Sequence, residues 1–276
     1  MATLLAISDL HVEHPDNREV IESLAPEQSG DWLIVAGDVA DSLARVDWAL
    51  GLLAARFERV IWVPGNHELL SHRDAEEPRG EERYRALVEI CGGHGVTTPE
   101  DPYPVWEGEG GPATIVPLFL LYDYSFGENV APTREEALRL AYEAGVVCVD
   151  EFLLHPDPHP SRAAWCDARV RYSEARLAEL DPGLPTVIVN HFPLLDRPTR
   201  ILRHPEFAQW CGTRRSGDWH RRYNATAVVY GHLHIPITSW YDGVRFEEVS
   251  LGYPREWKPR ARLRGVRRVL PPEGPA

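Results

Sequence analysis

Lysine is almost absent from this chain. Of 29 basic residues only Lys258 is a lysine, and the rest are arginines. Cysteine is scarce as well. Cys91, Cys148, Cys166 and Cys211 are widely separated and form no C-x-x-C pair, so they read as free, partly buried thiols in a reducing compartment. No apolar run reaches the roughly 18 residues that a membrane-spanning helix needs. The first residues show no basic segment leading into an apolar one and a small-residue cleavage site. The expectation is a cytoplasmic protein without a membrane partner. A surplus of positive charge is lacking too. The net charge of −13 disfavours a general nucleic-acid binder, which needs a basic footprint.

What is present is an ordinary globular composition, 43% hydrophobic and 26% charged, over 276 residues. Charge is spread unevenly. Arg255 to Arg268 holds seven basic residues and one acidic one, a basic strip on an acidic chain. The division expected is a large domain over residues 1–254 and a basic, Pro- and Arg-rich C-terminal extension over 255–276.

Short apolar runs at Thr3–Ile7, Trp32–Ala36 and Val60–Val63, the last rich in β-branched residues, predict strands. Helical spacing predicts helices near Arg18–Leu24 and Val46–Phe57, the second capped by Asp41 or Ser42. Such alternation argues for parallel strands with helices on the faces of the sheet. Residues 71–83 read as a charged, mobile excursion before a helix through Tyr84, Leu87 and Val88. Further strands are predicted at Thr114–Leu121, Thr186–Val189 and Ala227–Tyr230. A hairpin is predicted about Asp242-Gly243. Helices are expected over 133–144 and Ala163–Leu180. Past Pro254 the chain either packs over the body or stays loose.

Polar residues cluster just past the ends of these strands: Asp9 and His11, Asp38, Asn66 and His67, His191, and His232 and His234. Parallel strands bring their C-terminal ends to one edge of a sheet, where open α/β folds bind ligands. The set offers nitrogen and oxygen donors without thiolate, which suits Mn, Fe, Zn, Co or Ni. Asp9, His11, Asp38, Asn66, His191, His232 and His234 are seven donors, too many for one ion. If Asp38 bridges, two ions receive four ligands each. Two ions about 3.5 Å apart leave room for a bridging hydroxide and can neutralise charge on a phosphoryl group. His67 sits at the rim, suited to donate a proton to a leaving oxygen, with Asp41 or Glu68 to hold it.

The motifs Asp9-Leu10-His11, Gly37-Asp38-Val39-Ala40-Asp41, Gly65-Asn66-His67-Glu68, His191 and Gly231-His232-Leu233-His234 together resemble those of the calcineurin-like metallophosphoesterases. The resemblance implies a four-layer α/β/β/α sandwich of two mixed sheets. It implies one ion on Asp9, His11, Asp38 and His234, another on Asp38, Asn66, His191 and His232, and His67 as the acid or phosphate-orienting group. The ions implied are two divalent or trivalent transition metals, Mn or Fe first and Zn next. Glu68 departs from the more common Asp at its position.

Narrower stretches, among them Leu120–Phe126, Tyr230–Pro236 and Trp240–Val249, are similar to an actinobacterial group that removes 4'-phosphopantetheine from holo acyl carrier proteins. That similarity implies a carrier-protein phosphodiesterase. Tyr122, Asp123 and Tyr124 form one candidate substrate wall, and Arg214, Arg215 and Trp219 belong to another. Packing against the sheet edge and solvation explain the same residues equally well. The basic strip either steers an acidic carrier protein or folds over the acidic body. Other readings remain open: a phosphodiesterase or phosphatase acting on nucleotides, cyclic nucleotides or another small phosphodiester; a nuclease, which the acidic body speaks against; and a non-catalytic partner-binding scaffold.

Overall fold

The computed structural model describes residues 2–71, 77–259 and 266–272. Part of the 71–83 excursion, and Arg260, Arg262 and Arg264 of the basic strip, lie outside the described residues. The first third of the chain alternates strand and helix as its apolar periodicity predicts: β1 (Leu4–Ile7), α1 (Pro15–Ser23), β2 (Trp32–Val35), α2 (Leu43–Ala54) and β3 (Arg59–Trp62). The three strands pair in parallel. Pro15 starts α1 earlier than expected, at a first-turn position where its missing N–H costs nothing. Ser42 stands at the start of α2 but makes no side-chain capping bond, and Asp41 is engaged elsewhere.

After α3 (Gly80–Gly93) a second sheet is built from β4 (Val105–Trp106), β5 (Ala113–Pro117), β6 (Thr186–Val189), β7 (Ala225–Tyr230), β8 (Ile237–Tyr241) and β9 (Val244–Glu248). Its helices are α4 (Arg134–Glu143), α5 (Asp150–Leu153), α6 (Arg162–Leu177) and the single turn α7 (Trp219–Arg222). The strand at 114 ends at Pro117 rather than running to Leu121. The chain then leaves the sheet while staying buried, and the Leu120 N–H donates to Asn190 Oδ1 at 3.0 Å. The tail supplies α8 (Pro254–Trp257) and β10 (Arg267–Leu270). β10 pairs antiparallel with β1 and completes the first sheet in the order β10-β1-β2-β3. The second sheet runs β4-β5-β6-β7-β9-β8, with β5, β6, β7 and β9 parallel and β4 and β8 antiparallel at its edges. Both sheets are mixed.

Alternation along the strands separates the layers. Leu4, Ala6, Ile34, Ala36, Ile61 and Val63 face Ile115, Val187, Val189, Ala227 and Val229 in a core between the sheets. Leu5, Ile7, Leu33, Val35, Val60 and Trp62 point the other way and pack with Val46, Leu50, Leu53 and Leu87 of the helices. A side-chain period of two on strands buried on both faces therefore yields helix, sheet, sheet, helix. The four cysteines are free and buried. No helix among the described residues is long and apolar enough to cross a membrane.

Candidate metal centre

The two sheets place the C-terminal ends of β1, β2, β3, β6 and β7 along one edge, and the loops that leave them are joined by backbone hydrogen bonds. The Asp9 N–H donates to Gly37 O at 2.9 Å and that of His11 to Asp38 O at 3.1 Å. The Gly231 N–H donates to His191 O at 2.9 Å, and that of Leu251 to Ser8 O at 2.8 Å. Turning so sharply costs backbone strain. Asp9, His11, Asp38, His232 and His234 all adopt positive φ, between 40° and 70°, although none is glycine. Such strain gathers where surrounding structure over-determines a functional geometry. Close approach also dictates the glycines. A Cβ on Gly37, at φ +88°, would lie 2.7 Å from His191 Nδ1, and one on Gly65 would run into the Asp38 carboxylate.

Six of the seven predicted donors fall into groups whose ligand atoms lie close together, and the seventh, Asn66, directly precedes His67 of one such group. Asp9, His11 and His234 offer ligand atoms within 4.8 Å of one another, and so do Asp38, His191 and His232. His11, Asp38 and His67 form a third such group, which bridges the first two through Asp38 and His11. His234 Nε2 is 3.0 Å from Asp9 Oδ1 and 3.2 Å from His11 Nε2. His191 Nε2 lies 3.4 Å from Asp38 Oδ2.

The donor set fits a pair of metal ions. Asn66 Oδ1 and His232 Nε2 are buried and have no hydrogen-bond partner, and buried His191 Nε2 faces the Asp38 carboxylate at 3.4 Å. Buried polar atoms are rarely left so, because each forfeits its hydration without compensation. Meanwhile the far sides of the same groups are held. Asn66 Nδ2 donates to Asp150 Oδ1 at 3.0 Å, which leaves its oxygen free, and His191 Nδ1 bonds Ala36 O at 2.9 Å. The Asp9 carboxylate accepts from Ser8 Oγ at 2.5 Å and Ser250 Oγ at 2.7 Å.

The donors balance one another's charge: against burial, Asp38 raises His191 to about 9, and Asp9 with Glu256 raises His234 well above the ordinary imidazole value. Burial works against ionisation of Asp9, but the charge and hydrogen bond of His234 hold its carboxyl well below the usual range. Asp38 is likewise ionised against its burial, by His191 and His67. Burial, with positive neighbours, pulls His11 and His232 down to about 3, so both rings are neutral with a lone pair to offer.

His67 stands at the rim, with 18% of its side chain exposed. Its Nδ1 is 2.7 Å from Asp41 Oδ1, and its Nε2 is 4.0 Å from Asp38 Oδ2. Burial opposes its charge, but Asp38 and the Asp41 hydrogen bond raise it to about 10. Of the two residues expected to hold His67, Asp41 makes the contact. Glu68 instead accepts the backbone N–H groups of Asp38 and Gly65 at 3.0 Å and of Val39 at 2.9 Å. It stitches the loop after β2 to the loop after β3. Buried Arg83 on α3 adds a second stitch, donating to Glu68 O and Asp41 O.

The predicted substrate walls are joined mainly to each other. Asp123 accepts from Ser125 Oγ at 2.5 Å and from Thr213 Oγ1 at 2.7 Å. Arg214 donates to Ser125 O at 2.9 Å and Asn129 Oδ1 at 2.8 Å, and Arg215 pairs with Asp167. Tyr124 OH bonds Glu151 and Arg162, while Tyr122 and Trp219 are fully buried. The aromatic rings that touch the donors are others: Phe192 and Phe207 against His232, centroids 4.6 and 5.5 Å apart, and Tyr253 stacked on His11 at 4.5 Å. Beside Tyr253 opens a groove of about 410 Å³, lined by His14, Asp16, Tyr253, Pro254 and Arg255. In the basic strip Lys258 pairs with Asp16 at 2.8 Å and Arg268 with Glu27 at 3.7 Å, so part of its charge meets the acidic body.

Tyr253, Glu256, Asp150 and Arg83 were not legible as site residues. Each is a common type in a helix or turn, and only Tyr253-Pro254-x-Glu256 carries a local signal, that of a helix start with a glutamate at its third position.

Residues 2–236 match the calcineurin-like phosphoesterase family. Over 270 residues the chain is 58% identical to an acyl-carrier-protein phosphodiesterase, PptH, of Mycobacterium tuberculosis, covering 98% of this chain and 83% of that one. The crystal structure of the M. tuberculosis phosphopantetheinyl hydrolase superposes with a TM-score of 0.96 at 56% identity, covering 100% of this chain and 99% of that one.

Proposed function

Because the chain belongs to the calcineurin-like phosphoesterase family, a metal-dependent phosphoesterase, we propose that it hydrolyses the phosphodiester joining 4'-phosphopantetheine to the serine of a holo acyl carrier protein. The observation that carries the chemistry is the pair of donor clusters linked through His11 and Asp38, with Asn66 Oδ1 and His232 Nε2 buried beside no other partner. The substrate rests on identity to a carrier-protein phosphodiesterase along nearly the whole chain.

Asp9, His11, Asp38 and His234 would hold one ion, and Asp38, Asn66, His191 and His232 the other. Mn or Fe is the expected metal, with Zn next, on all-nitrogen and oxygen ligation. Bound together, such ions activate water and offset charge growing on a phosphoryl group. The chain's own residues supply the rest. His67, held by Asp41, gives a proton to the departing serine oxygen as the bond from that oxygen to phosphorus breaks. Water supplies the new oxygen on phosphorus. The products are apo carrier protein and 4'-phosphopantetheine.

The groove beside Tyr253 is suited to the prosthetic arm, since its wall is the ring that covers His11. Arg255, in no ion pair among the described residues and 5.2 Å over the Tyr253 ring, stands ready for an acidic carrier surface. The test is incubation of holo carrier protein with the Mn-loaded protein, read by intact mass. Loss of the prosthetic group is expected. An unchanged carrier alongside turnover of a small chromogenic diester would replace this reading with that of a small-molecule phosphodiesterase.

A further inference from the structure

The family match ends at residue 236, yet the centre is closed by a segment beyond it. His234 can serve an ion through Nε2 only if its proton sits on Nδ1. That proton needs an acceptor, and Glu256 Oε2 lies 2.7 Å from Nδ1. From the geometry we propose that Glu256, on α8, is a positioning residue for His234. It fixes the tautomer and ring plane of one ligand of the first ion, and the second ion does not depend on it. This rests on the two-ion reading above.

Glu256 is held independently of any metal. Its Oε2 also accepts the Tyr253 N–H at 2.8 Å. Trp257, the next residue, donates its indole N–H to Asn17 Oδ1 at 2.9 Å. Asn17 in turn donates to Leu10 O at 2.8 Å and Gly252 O at 3.0 Å, which ties α8 to the loop carrying Asp9 and His11. The Gly252 N–H donates to Asp9 O at 3.1 Å. A Cβ on Gly252, whose φ is +79°, would fall 2.8 Å from Glu256 Oε2 and 3.4 Å from His234 Cγ. The chain therefore passes close under the carboxylate only as glycine.

Tyr253 adds a second contact on the same side. Its ring stacks on His11 at an interplanar angle of 23° and meets His234 edge-on at 4.9 Å. The segment thus touches both histidines of the first ion. A carboxylate behind a ligating histidine typically accounts for about 10- to 100-fold in metal affinity or activity.

The competing role for Glu256 is purely local, since it also sits at the third position of its own short helix. Metal binding separates the two without any substrate. Full-length wild type, Glu256→Gln and Glu256→Ala are stripped with chelator and titrated with Mn(II) alone. Stoichiometry is followed by calorimetry and the spin coupling of the bound ions by EPR. Wild type is expected to take two ions with the signal of a coupled pair. Glu256→Ala is expected to keep one ion at wild-type affinity, lose about 10- to 100-fold at the other and show an isolated-ion signal. Glu256→Gln retains an acceptor oxygen and the side-chain volume, and should fall between. Equal weakening of both ions, or none, would overturn the proposal. Failure of carrier-protein cleavage by the wild type would instead bear on the substrate reading, which this titration does not touch.

Discussion

His67 Nδ1 and Asp41 Oδ1 stand 2.7 Å apart across two loops, one leaving β3 and the other β2. The pair turns the imidazole so that its other nitrogen faces the donor clusters. It also keeps the ring charged, since Asp38 and Asp41 outweigh the burial that opposes its charge and raise it to about 10. A histidine raised in this way is protonated below that value and loses its proton as pH rises through it.

Replacing His67 by Ala should therefore lower turnover by about 10²- to 10⁴-fold while two ions still bind. Metal content measured beside kcat checks this. Loss of metal in step with activity would make His67 a ligand. In Asp41→Asn the ring loses its hydrogen-bonded anion, so the alkaline limb of the rate profile should move to lower pH, read from kcat between pH 6 and pH 10.

Gly65→Ala should weaken both ions together. Its new Cβ meets the Asp38 carboxylate and backbone, and Asp38 is the donor proposed to be common to both ligand sets. Metal per chain after exhaustive dialysis is the measurement. A variant that keeps one ion would show that Asp38 does not bridge.

Glu68 carries three backbone N–H groups in a buried setting. Each becomes an uncompensated donor in Glu68→Ala, at a cost of about 1–3 kcal/mol apiece. Thermal unfolding in chelator should show a large fall in Tm that metal does not cause. A Tm within a degree of wild type would remove this structural role.

Asp31 supplies an acid-sensitive element at the opposite end of β2 from Asp38. Its carboxylate accepts the Thr3 N–H at 2.8 Å, the Thr3 hydroxyl at 2.9 Å, and the Glu27 and Gln28 N–H groups at 3.0 and 2.9 Å. Burial raises its pKa, but these bonds prevail and lower it. The stability it contributes is present above the ordinary carboxylate value and lost as pH falls through the lowered one. Asp31→Asn should destabilise by about 1–3 kcal/mol at pH 7, with the gap from wild type narrowing towards pH 3. Urea unfolding at both pH values decides it, and a gap independent of pH would count against it.

The sequence alone determined the strand ends and the polar residues set just beyond them. β1, β2, β3, β6 and β7 are short apolar runs, and the side chains past each are the proposed donors, because parallel strands deliver their C-terminal ends to one edge. Periodicity sets both facts locally, so both are legible in a single chain. What only the tertiary structure decided is how those donors are held. Asp150 behind Asn66, Arg83 under Glu68 and Asp41, and Glu256 behind His234 come from helices whose sequence shows no chemistry. The tail that could have stayed loose adds β10 to the first sheet and α8 to the centre. Local composition records a residue's own turn or strand. A hydrogen bond between side chains 22 or 84 positions apart depends on where the packed layers bring them, and that is settled only when the sheets close on each other.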